Sequence, residues 1–192
     1  ASKLGASDFI CGCEESLGFL TGDVVADKDG LLGCTIFCEL LSKLKAKNKT
    51  VFERLDELYM QHGYYYNELL SINLYNKTPE LISSFIEKIR NEQFVEIAGI
   101  KVQKSLDYLN TQSSFNSEIA NFFPKTDILV FFLANGTKLS IRPSGTEPKI
   151  KIYAQSKKSF LQKTPTALNA VKISVKKETK TILTEIKKLF YF

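Results

Sequence analysis

The chain has 192 residues, enough for one or two domains, and its apolar fraction of 44% and charged fraction of 24% are ordinary for a globular protein. The formal net charge of +5 is compatible with an anionic small ligand, but the basic residues are too scattered to indicate a nucleic-acid groove. No apolar run reaches the roughly 18 residues that a membrane-spanning helix needs, so we expect no membrane segment.

Four cysteines lie in the first fifth of the chain, at Cys11, Cys13, Cys34 and Cys38. None has Cys-x-x-Cys spacing and the only histidine, His62, is distant in sequence, so a structural zinc site is not predicted. Because the cysteines fall within apolar stretches, we expect reduced, partly buried thiols in a cytoplasmic protein rather than a disulfide framework.

The N-terminal third begins with a short apolar run. Phe9 and Ile10 are predicted to end a buried strand, and residues 11–30, rich in glycine and aspartate, are predicted to form a surface loop. After Gly30 the apolar residues recur at spacings of three and four, which is typical of a helix with one buried face. Those residues are Leu32, Ile36, Phe37, Leu40, Leu41 and Leu44.

Three further helices are predicted from their terminal signals. Thr50 and Glu53 form a capping box, and Gly63 is placed to end the helix that they open. Thr-Pro pairs at 78–79 and 164–165 open two more helices, with threonine as the cap and proline in the first turn. The expected core faces are Leu81, Ile82, Phe85, Ile86 and Ile89, and then Leu168, Val171, Val175, Ile182, Ile186 and Leu189.

Strands are predicted between these helices. Residues 64–74, rich in aromatic and β-branched side chains, indicate a strand or an extended linker. Asn135-Gly136 predicts a hairpin turn, because both residues tolerate positive φ, and polar residues 107–121 predict an exposed loop. The other predicted strands cover residues 95–102, 128–134, 137–141 and 149–152.

This order of elements predicts an α+β fold: a C-terminal unit with helices on an antiparallel sheet, preceded by the end of an α/β domain. The predicted boundaries are residues 1–62 for the α/β part and 63–192 for the α+β unit. The chain begins at Ala1 and its only methionine is Met60, so we expect it to be a piece of a longer protein.

Residues 142–148 join two predicted strands and carry groups that suit a phosphate dianion. Arg142 offers a planar fork of donors, Ser144 and Thr146 add hydroxyls, and two lysines follow at 149 and 151. Gly145 lets the backbone approach a ligand, so that several donors can converge on its oxygens. Taken alone, an ordinary Pro-Gly turn with an exposed arginine explains the segment equally well.

Two N-terminal stretches are weaker candidates. The carboxylates and hydroxyl of Glu14, Glu15 and Ser16 can bind sugar hydroxyls, although adjacent acids in a loop are commonly only solvated. Residues 27–30 (DKDG) do not fit an EF-hand, because ligand positions would fall on valine and isoleucine. They predict instead a helix start, with Lys28 beside its N-terminus and able to join an anion site there.

Three segments are informative when they are taken together: residues 14–19 (EESLGF), 27–30 (DKDG) and 142–151 (RPSGTEPKIK), with Gly22 between the first two. The set strongly resembles the α-D-phosphohexomutase family, in the form of its phosphoglucomutase and phosphopentomutase branches. The resemblance covers essentially the whole chain, but only the end of the third and all of the fourth of the four domains of a family member.

The resemblance implies a reaction for the full-length protein. A phosphoserine in the first domain would phosphorylate a sugar monophosphate, and the hexose bisphosphate would turn over in the site before the serine takes back the other phosphate. Mg²⁺ would be held by an aspartate-rich loop of the second domain. Neither segment occurs here, so we expect no catalytic or metal-binding residue in this chain and no activity from it alone.

The resemblance also assigns roles to residues. Glu14 and Ser16 would bind the two ring hydroxyls common to both substrate orientations, and Lys28 would lie near the reacting groups. The residues expected to hold the phosphate that is not transferred are Arg142, Ser144, Gly145 and Thr146. The expected partners are a phosphorylated sugar and the N-terminal domains of the same enzyme, with neither nucleic acid nor membrane.

Alternatives remain open. A phosphopentomutase or phosphomannomutase of the same family is the nearest one, since Cys13 and Leu17 stand where many members have glycine. A non-catalytic module that binds sugar phosphates is an alternative from a different class. A nucleic-acid binder is disfavoured, because the lysines of the last predicted helix spread around it without aromatic partners.

Overall fold

The structure, a computed structural model, describes residues 9–14, 18–22, 25, 27–75, 77–110, 125–144 and 147–190. The chain separates into two compact units, Ala1–Glu57 and Leu58–Phe192. No helix in these described ranges is both long and apolar enough to cross a membrane.

The first unit opens with a two-stranded antiparallel ribbon. Strands β1 (Cys11–Cys13) and β2 (Phe19–Thr21) pair with each other, and the Glu14 N–H donates to the Gly18 carbonyl at 2.8 Å. The prediction of a plain surface loop is therefore wrong here, because strands of three residues are too short to show a period. The predicted buried strand end is also wrong, since Ile10 is 83% exposed.

Helix α1 (Gly30–Ala46) begins where the sequence predicted. The Asp29 carboxylate accepts from the backbone N–H groups of Leu31 and Leu32, at 2.9 and 3.0 Å. Its predicted buried face is wrong, because only Leu44 is buried. β2 packs on α1 at Gly33 through the Phe19 side chain, and so short a strand covers little of the apolar stripe.

All four cysteines are exposed and carry free thiols in the structure. The expectation that they are partly buried is wrong, because the elements that carry them are little covered by the rest of the described unit. Cys11 and Cys13 lie on the small ribbon, and Cys34 and Cys38 lie on α1, whose apolar side chains are largely uncovered within the described part of this unit.

Helix α2 (Val51–His62) has the predicted capping box. The Glu53 N–H donates to the Thr50 hydroxyl at 3.1 Å, and the Glu53 carboxylate accepts from the Thr50 N–H at 2.7 Å. The helix ends at Gly63, which has a φ of +95° and donates its N–H to the Tyr59 carbonyl. Both predicted ends of α2 are thus confirmed.

The second unit is built on a six-stranded sheet in the order β3-β8-β7-β6-β5-β4, with every neighbouring pair antiparallel. Its strands are β3 (Tyr64–Asn73), β4 (Glu96–Ile97), β5 (Ile100–Asp107), β6 (Leu129–Leu133), β7 (Lys138–Pro143) and β8 (Lys149–Lys158). The single strand predicted over 95–102 divides at a turn at Ala98 and Gly99, both at positive φ. The loop predicted over 107–121 lies mostly outside the described residues.

Helices α3 (Pro79–Asn91) and α4 (Pro165–Lys188) contribute to one hydrophobic core with the sheet. Their threonine caps are as predicted. The buried core cluster includes Ile86, Leu139, Ile150, Ile152 and Ile182. Leu81 is 37% exposed and does not join the predicted face of α3. The unit confirms the predicted α+β class, with helices on an antiparallel sheet.

The β6–β7 hairpin forms as predicted. Gly136 has a φ of +85°, whereas Asn135 does not have positive φ. The Leu133 N–H donates to the Thr137 carbonyl at 2.8 Å, so three residues, 134–136, lie inside this bond, and a loop of this length needs the left-handed region only at its last position. The Asn135 side chain instead accepts from the Thr137 N–H at 3.0 Å.

Candidate functional site

The first candidate site is a cleft of about 410 Å³ in the first unit, between the end of β1 and the start of α1. Glu14 and Lys28 line it, and the Lys28 ammonium lies 3.3 Å from the Glu14 carboxylate. Both side chains are about half exposed, so the ion pair is accessible to a ligand. The structure therefore brings together two of the three residues that the sequence predicted for sugar binding.

Gly18 makes this arrangement possible. A Cβ at Gly18 would lie 2.4 Å from the Lys28 Cδ and 3.1 Å from a Glu14 carboxylate oxygen. The Lys28 side chain thus passes over backbone that has no side chain, while the Glu14 N–H bonds to the Gly18 carbonyl. Ser16, the third predicted residue, lies outside the described residues.

The aspartates near Lys28 have local structural roles. An Asp27 carboxylate oxygen accepts from the Lys28 N–H at 2.7 Å, and the Asp29 carboxylate caps α1. No three histidine, cysteine, aspartate or glutamate side chains group as a metal site among the residues that the structure describes. These aspartates therefore do not fit a magnesium site. The Lys28 ammonium forms an ion pair with the Glu14 carboxylate and does not contribute to the cap of α1.

The second candidate site lies on two central strands of the second unit. Leu139 and Ile141 of β7, and Ile150 and Ile152 of β8, point into the core with exposures of 2% or less. Because side chains alternate along a strand, Arg142 lies on the opposite face of the sheet.

On that face Arg142 stands directly across from Lys151. Both residues are half-buried, and no carboxylate within the described ranges pairs with either side chain. Like charges in a directly opposed pair repel each other, so this position favours an anion that can neutralise both.

The turn after β7 is closed at its base. The Ser144 N–H donates to the Lys149 carbonyl at 2.8 Å, and the Lys149 N–H donates to the Glu147 carbonyl at 2.7 Å. The Lys149 ammonium lies 2.6 Å from the Glu147 carboxylate, and this hydrogen bond raises the pKa of Lys149. Glu147 thereby neutralises Lys149, so among the described residues around this turn the positive charge without a carboxylate partner is that of Arg142 and Lys151.

Two of the four predicted phosphate ligands, Arg142 and Ser144, lie at the described edge of the turn. Gly145 and Thr146 lie outside the described residues. Sequence reasoning did not select Lys151 as a site residue, although its alternation with Ile150 and Ile152 placed it on the polar face of its strand. The missing signal was the register with β7, which sets Lys151 opposite Arg142.

Two family models match the chain. Residues 1–62 match the model described as phosphoglucomutase/phosphomannomutase, alpha/beta/alpha domain III, and residues 89–160 match the C-terminal domain of the same proteins. The chain belongs to the α-D-phosphohexomutase family. The resemblance inferred from the three motifs is thus confirmed, while the domain limits at residues 62 and 63 stay a prediction.

Curated relatives of this family member carry different names. A probable phosphomannomutase of Haemophilus influenzae is 37% identical over 79% of this chain. A phosphoglucomutase of Staphylococcus aureus is 32% identical over 78%, and a human glucose 1,6-bisphosphate synthase is 29% identical over 74%. The chain spans only 29%, 28% and 24% of the lengths of these relatives, respectively.

Proposed function

We propose that this chain supplies the sugar- and phosphate-binding surfaces of a phosphoglucomutase that interconverts glucose 1-phosphate and glucose 6-phosphate. The observation that carries the proposal is the Arg142–Lys151 pair, two half-buried cations opposed across neighbouring strands without a carboxylate partner in the described part of the chain. A phosphate dianion supplies the charge that this pair lacks.

The proposed phosphate site consists of Arg142, Ser144, Gly145 and Thr146, with Lys151 added from its register. Arg142 donates two parallel N–H bonds to phosphate oxygens, which orients the ligand, and Lys151 contributes a point charge. The site holds the phosphate that is not transferred, so its task is positioning.

The proposed sugar site consists of Glu14, Ser16 and Lys28. A carboxylate accepts hydrogen bonds from sugar hydroxyls and an ammonium donates to them, so the Glu14–Lys28 pair offers both functions in one cleft. Because the pair is formed before a ligand arrives, Glu14 needs no large movement to present its oxygens.

The transfer step is proposed to depend on parts of the full-length enzyme outside this sequence. A phosphoserine would donate the phosphoryl group, a hexose bisphosphate would be the intermediate, and Mg²⁺ would neutralise developing charge on the transferred group. No described carboxylates of this chain fit that ion. We therefore propose that the chain alone is inactive. The four free cysteines support a separate proposal, that the enzyme works in the cytoplasm.

Titration of the chain with glucose 1-phosphate, followed by backbone amide NMR shifts, tests the phosphate site. We expect saturable shifts at Arg142, Ser144 and Lys151. Lys138→Ala is the matched control, because Lys138 lies on the same strand and alternates with the core residues as Arg142 does. Arg142→Ala is expected to abolish these shifts, and Lys138→Ala is expected to keep them. Shifts confined to residues outside 142–151, or an equal loss of the shifts in both variants, would remove the phosphate role.

The alternative within the family is a phosphomannomutase or a phosphopentomutase, and the 37% identity to a probable phosphomannomutase favours the former as the second candidate. Assays of the full-length protein with glucose, mannose, ribose and glucosamine phosphates distinguish these substrates. A non-catalytic sugar-phosphate-binding module is the alternative of another class. It predicts no mutase activity from the full-length protein with any of these substrates.

A further inference from the structure

Strand β3 forms one edge of the six-stranded sheet. All ten of its residues, Tyr64–Asn73, pair with β8 on one side, and no strand of the described residues pairs with it on the other. An edge strand presents a row of backbone N–H and C=O groups that can pair with another chain. At ten residues, β3 is longer than the usual strand of about five or six.

Several common devices that protect an edge strand are absent from β3, in which Glu68 is the one charged side chain. The strand contains no proline or lysine, and its register with β8 is continuous from end to end, without a bulge. Two apolar side chains are accessible, since Tyr65 is 46% and Leu69 is 45% exposed. This edge is therefore long, regular and partly apolar.

A row of lysines on helix α4 runs beside this edge. At 100° per residue, Lys172, Lys176, Lys180 and Lys187 fall within an arc of about 80°. The ammonium of Lys176 lies 5.7 Å from the ring centre of Tyr66 in β3, and that of Lys172 lies 5.7 Å from the ring of Tyr59. The Lys176 contact places that lysine against β3, whereas the partner of Lys172 is Tyr59 of α2, whose ring contacts that of Tyr64 at the start of β3.

The row continues along a groove next to the edge. Lys180 and Lys187 line a groove of about 270 Å³ together with Glu68, Leu69 and Leu70 of β3. The lysines belong to the helix and not to the strand, so the backbone of β3 stays open to a pairing partner. Apolar and cationic groups thus lie within reach of any segment that pairs with β3, together with the Glu68 carboxylate, which accepts from the Tyr66 hydroxyl.

We propose that the β3 edge and the α4 lysine row (Lys172, Lys176, Lys180 and Lys187) form a docking strip for an extended acidic segment of a partner protein. The segment adds to the sheet as a seventh strand through backbone hydrogen bonds. Its acidic side chains meet the lysine row, and its apolar side chains contact Leu69 and Tyr65. The proposal does not rest on the roles assigned to the sugar and phosphate residues, although Lys151 of β8 pairs with Ser71 of β3.

Charge decides between the candidate occupants. A second copy of this chain would bring its own lysine row against the first in a symmetric β3–β3 pairing, and the chain carries a net charge of +5. The repulsion between the two lysine rows and the net positive charge of each chain both oppose self-association at this edge. The same lysines attract an acidic segment from another protein.

The test uses three peptides of eight residues on the 192-residue chain. The first alternates glutamate with valine, the second replaces glutamate by lysine, and the third is the acidic peptide with alternate backbone nitrogens methylated, which removes strand pairing while keeping the charge. We expect the acidic peptide alone to bind at low salt, with slowed hydrogen exchange at alternate amides of β3.

A charge-reversal pair provides the matched control. Lys180→Glu with Lys187→Glu is expected to weaken binding of the acidic peptide about tenfold or more. Lys177→Glu with Lys188→Glu makes the same change of charge on another arc of α4 and is expected to weaken it less than about twofold. Equal losses in the two double variants, equal binding of the methylated peptide, or protection outside β3 would overturn the proposal. Sedimentation that shows a dimer formed through β3 would also overturn it, in favour of a second copy.

Discussion

The two candidate sites differ in how their positive charge is balanced. In the first unit, the Lys28 ammonium lies 3.3 Å from the Glu14 carboxylate, so its charge is balanced before a ligand binds. In the second unit, Arg142 and Lys151 oppose each other without a carboxylate partner among the described residues. A balanced pair suits uncharged hydroxyls, whereas unbalanced cations suit a dianion. Charge balance thus separates a sugar site from a phosphate site.

The supports of the two sites differ as well. Behind Arg142 and Lys151 lie core residues with almost no exposure, such as Ile141 and Ile152. The first cleft rests on a ribbon of two three-residue strands and on a helix with one buried residue. Dense packing holds strand positions closely, so we expect the phosphate site to be the more preorganised of the two.

The largest expected effect concerns core packing, which differs between the two units. Ile152→Ala removes a side chain with no exposure from the core and should lower the free energy of unfolding of the second unit by about 2–5 kcal/mol. Ile36→Ala in α1, at a residue that is 44% exposed, should change stability by less than about 0.5 kcal/mol. Urea denaturation of both variants measures the difference, and comparable losses would contradict it.

The next effect concerns charge. Arg142→Ala should weaken phosphate binding by about tenfold to a hundredfold, because a hydrogen bond to a charged group contributes about 1.5–3 kcal/mol. Lys151→Ala should weaken binding without lowering the free energy of unfolding in phosphate-free buffer, since it also relieves repulsion across the strands. Calorimetric phosphate titration and urea denaturation of each variant provide the two readouts. A destabilised Lys151→Ala protein would indicate a structural role instead.

A smaller effect concerns the Glu14–Lys28 ion pair in the cleft of the first unit. Gly18→Ala places a Cβ against Lys28 and should separate its ammonium from Glu14. We expect a weakened sugar site, with KM raised several-fold in the full-length enzyme and phosphate affinity at Arg142 unchanged. Gly22→Ala is unsuitable as a control because Gly22 has positive φ, whereas Gly30→Ala meets no atom within 4 Å and retains the cap. Equal KM increases for both variants would remove Gly18 from a positioning role.

The smallest expected effect lies at the start of α2. Hydrogen bonds from the Thr50 N–H and hydroxyl lower the pKa of Glu53. A lowered pKa in the folded state contributes stability that is present above the ordinary pKa of glutamate and is lost as the pH falls through the folded value. Glu53→Gln should therefore flatten the dependence of the free energy of unfolding between pH 6 and pH 3. An unchanged slope in the variant would exclude this contribution.

Local signals predicted helix starts, stops and hairpins correctly. The capping box at Thr50, the Thr-Pro starts of α3 and α4, and the stop at Gly63 each depend on bonds between residues a few positions apart. Such bonds form wherever the sequence places their donors and acceptors, so they can be read without knowing the fold. The family motifs are equally local, and they indicated the family before any geometry was known.

Burial and register were decided only by the tertiary structure. The apolar stripe of α1 predicted a covered face, but covering depends on what another element brings to it, and β2 brings little. The opposition of Arg142 and Lys151, and the open edge of β3, follow from which strands pair and in which register. The sequence determined the elements and their ends by itself, because short-range hydrogen bonds and side-chain periodicity define them. Contacts between residues far apart in the chain decided which side chains are buried, opposed or exposed, and no local pattern encodes them.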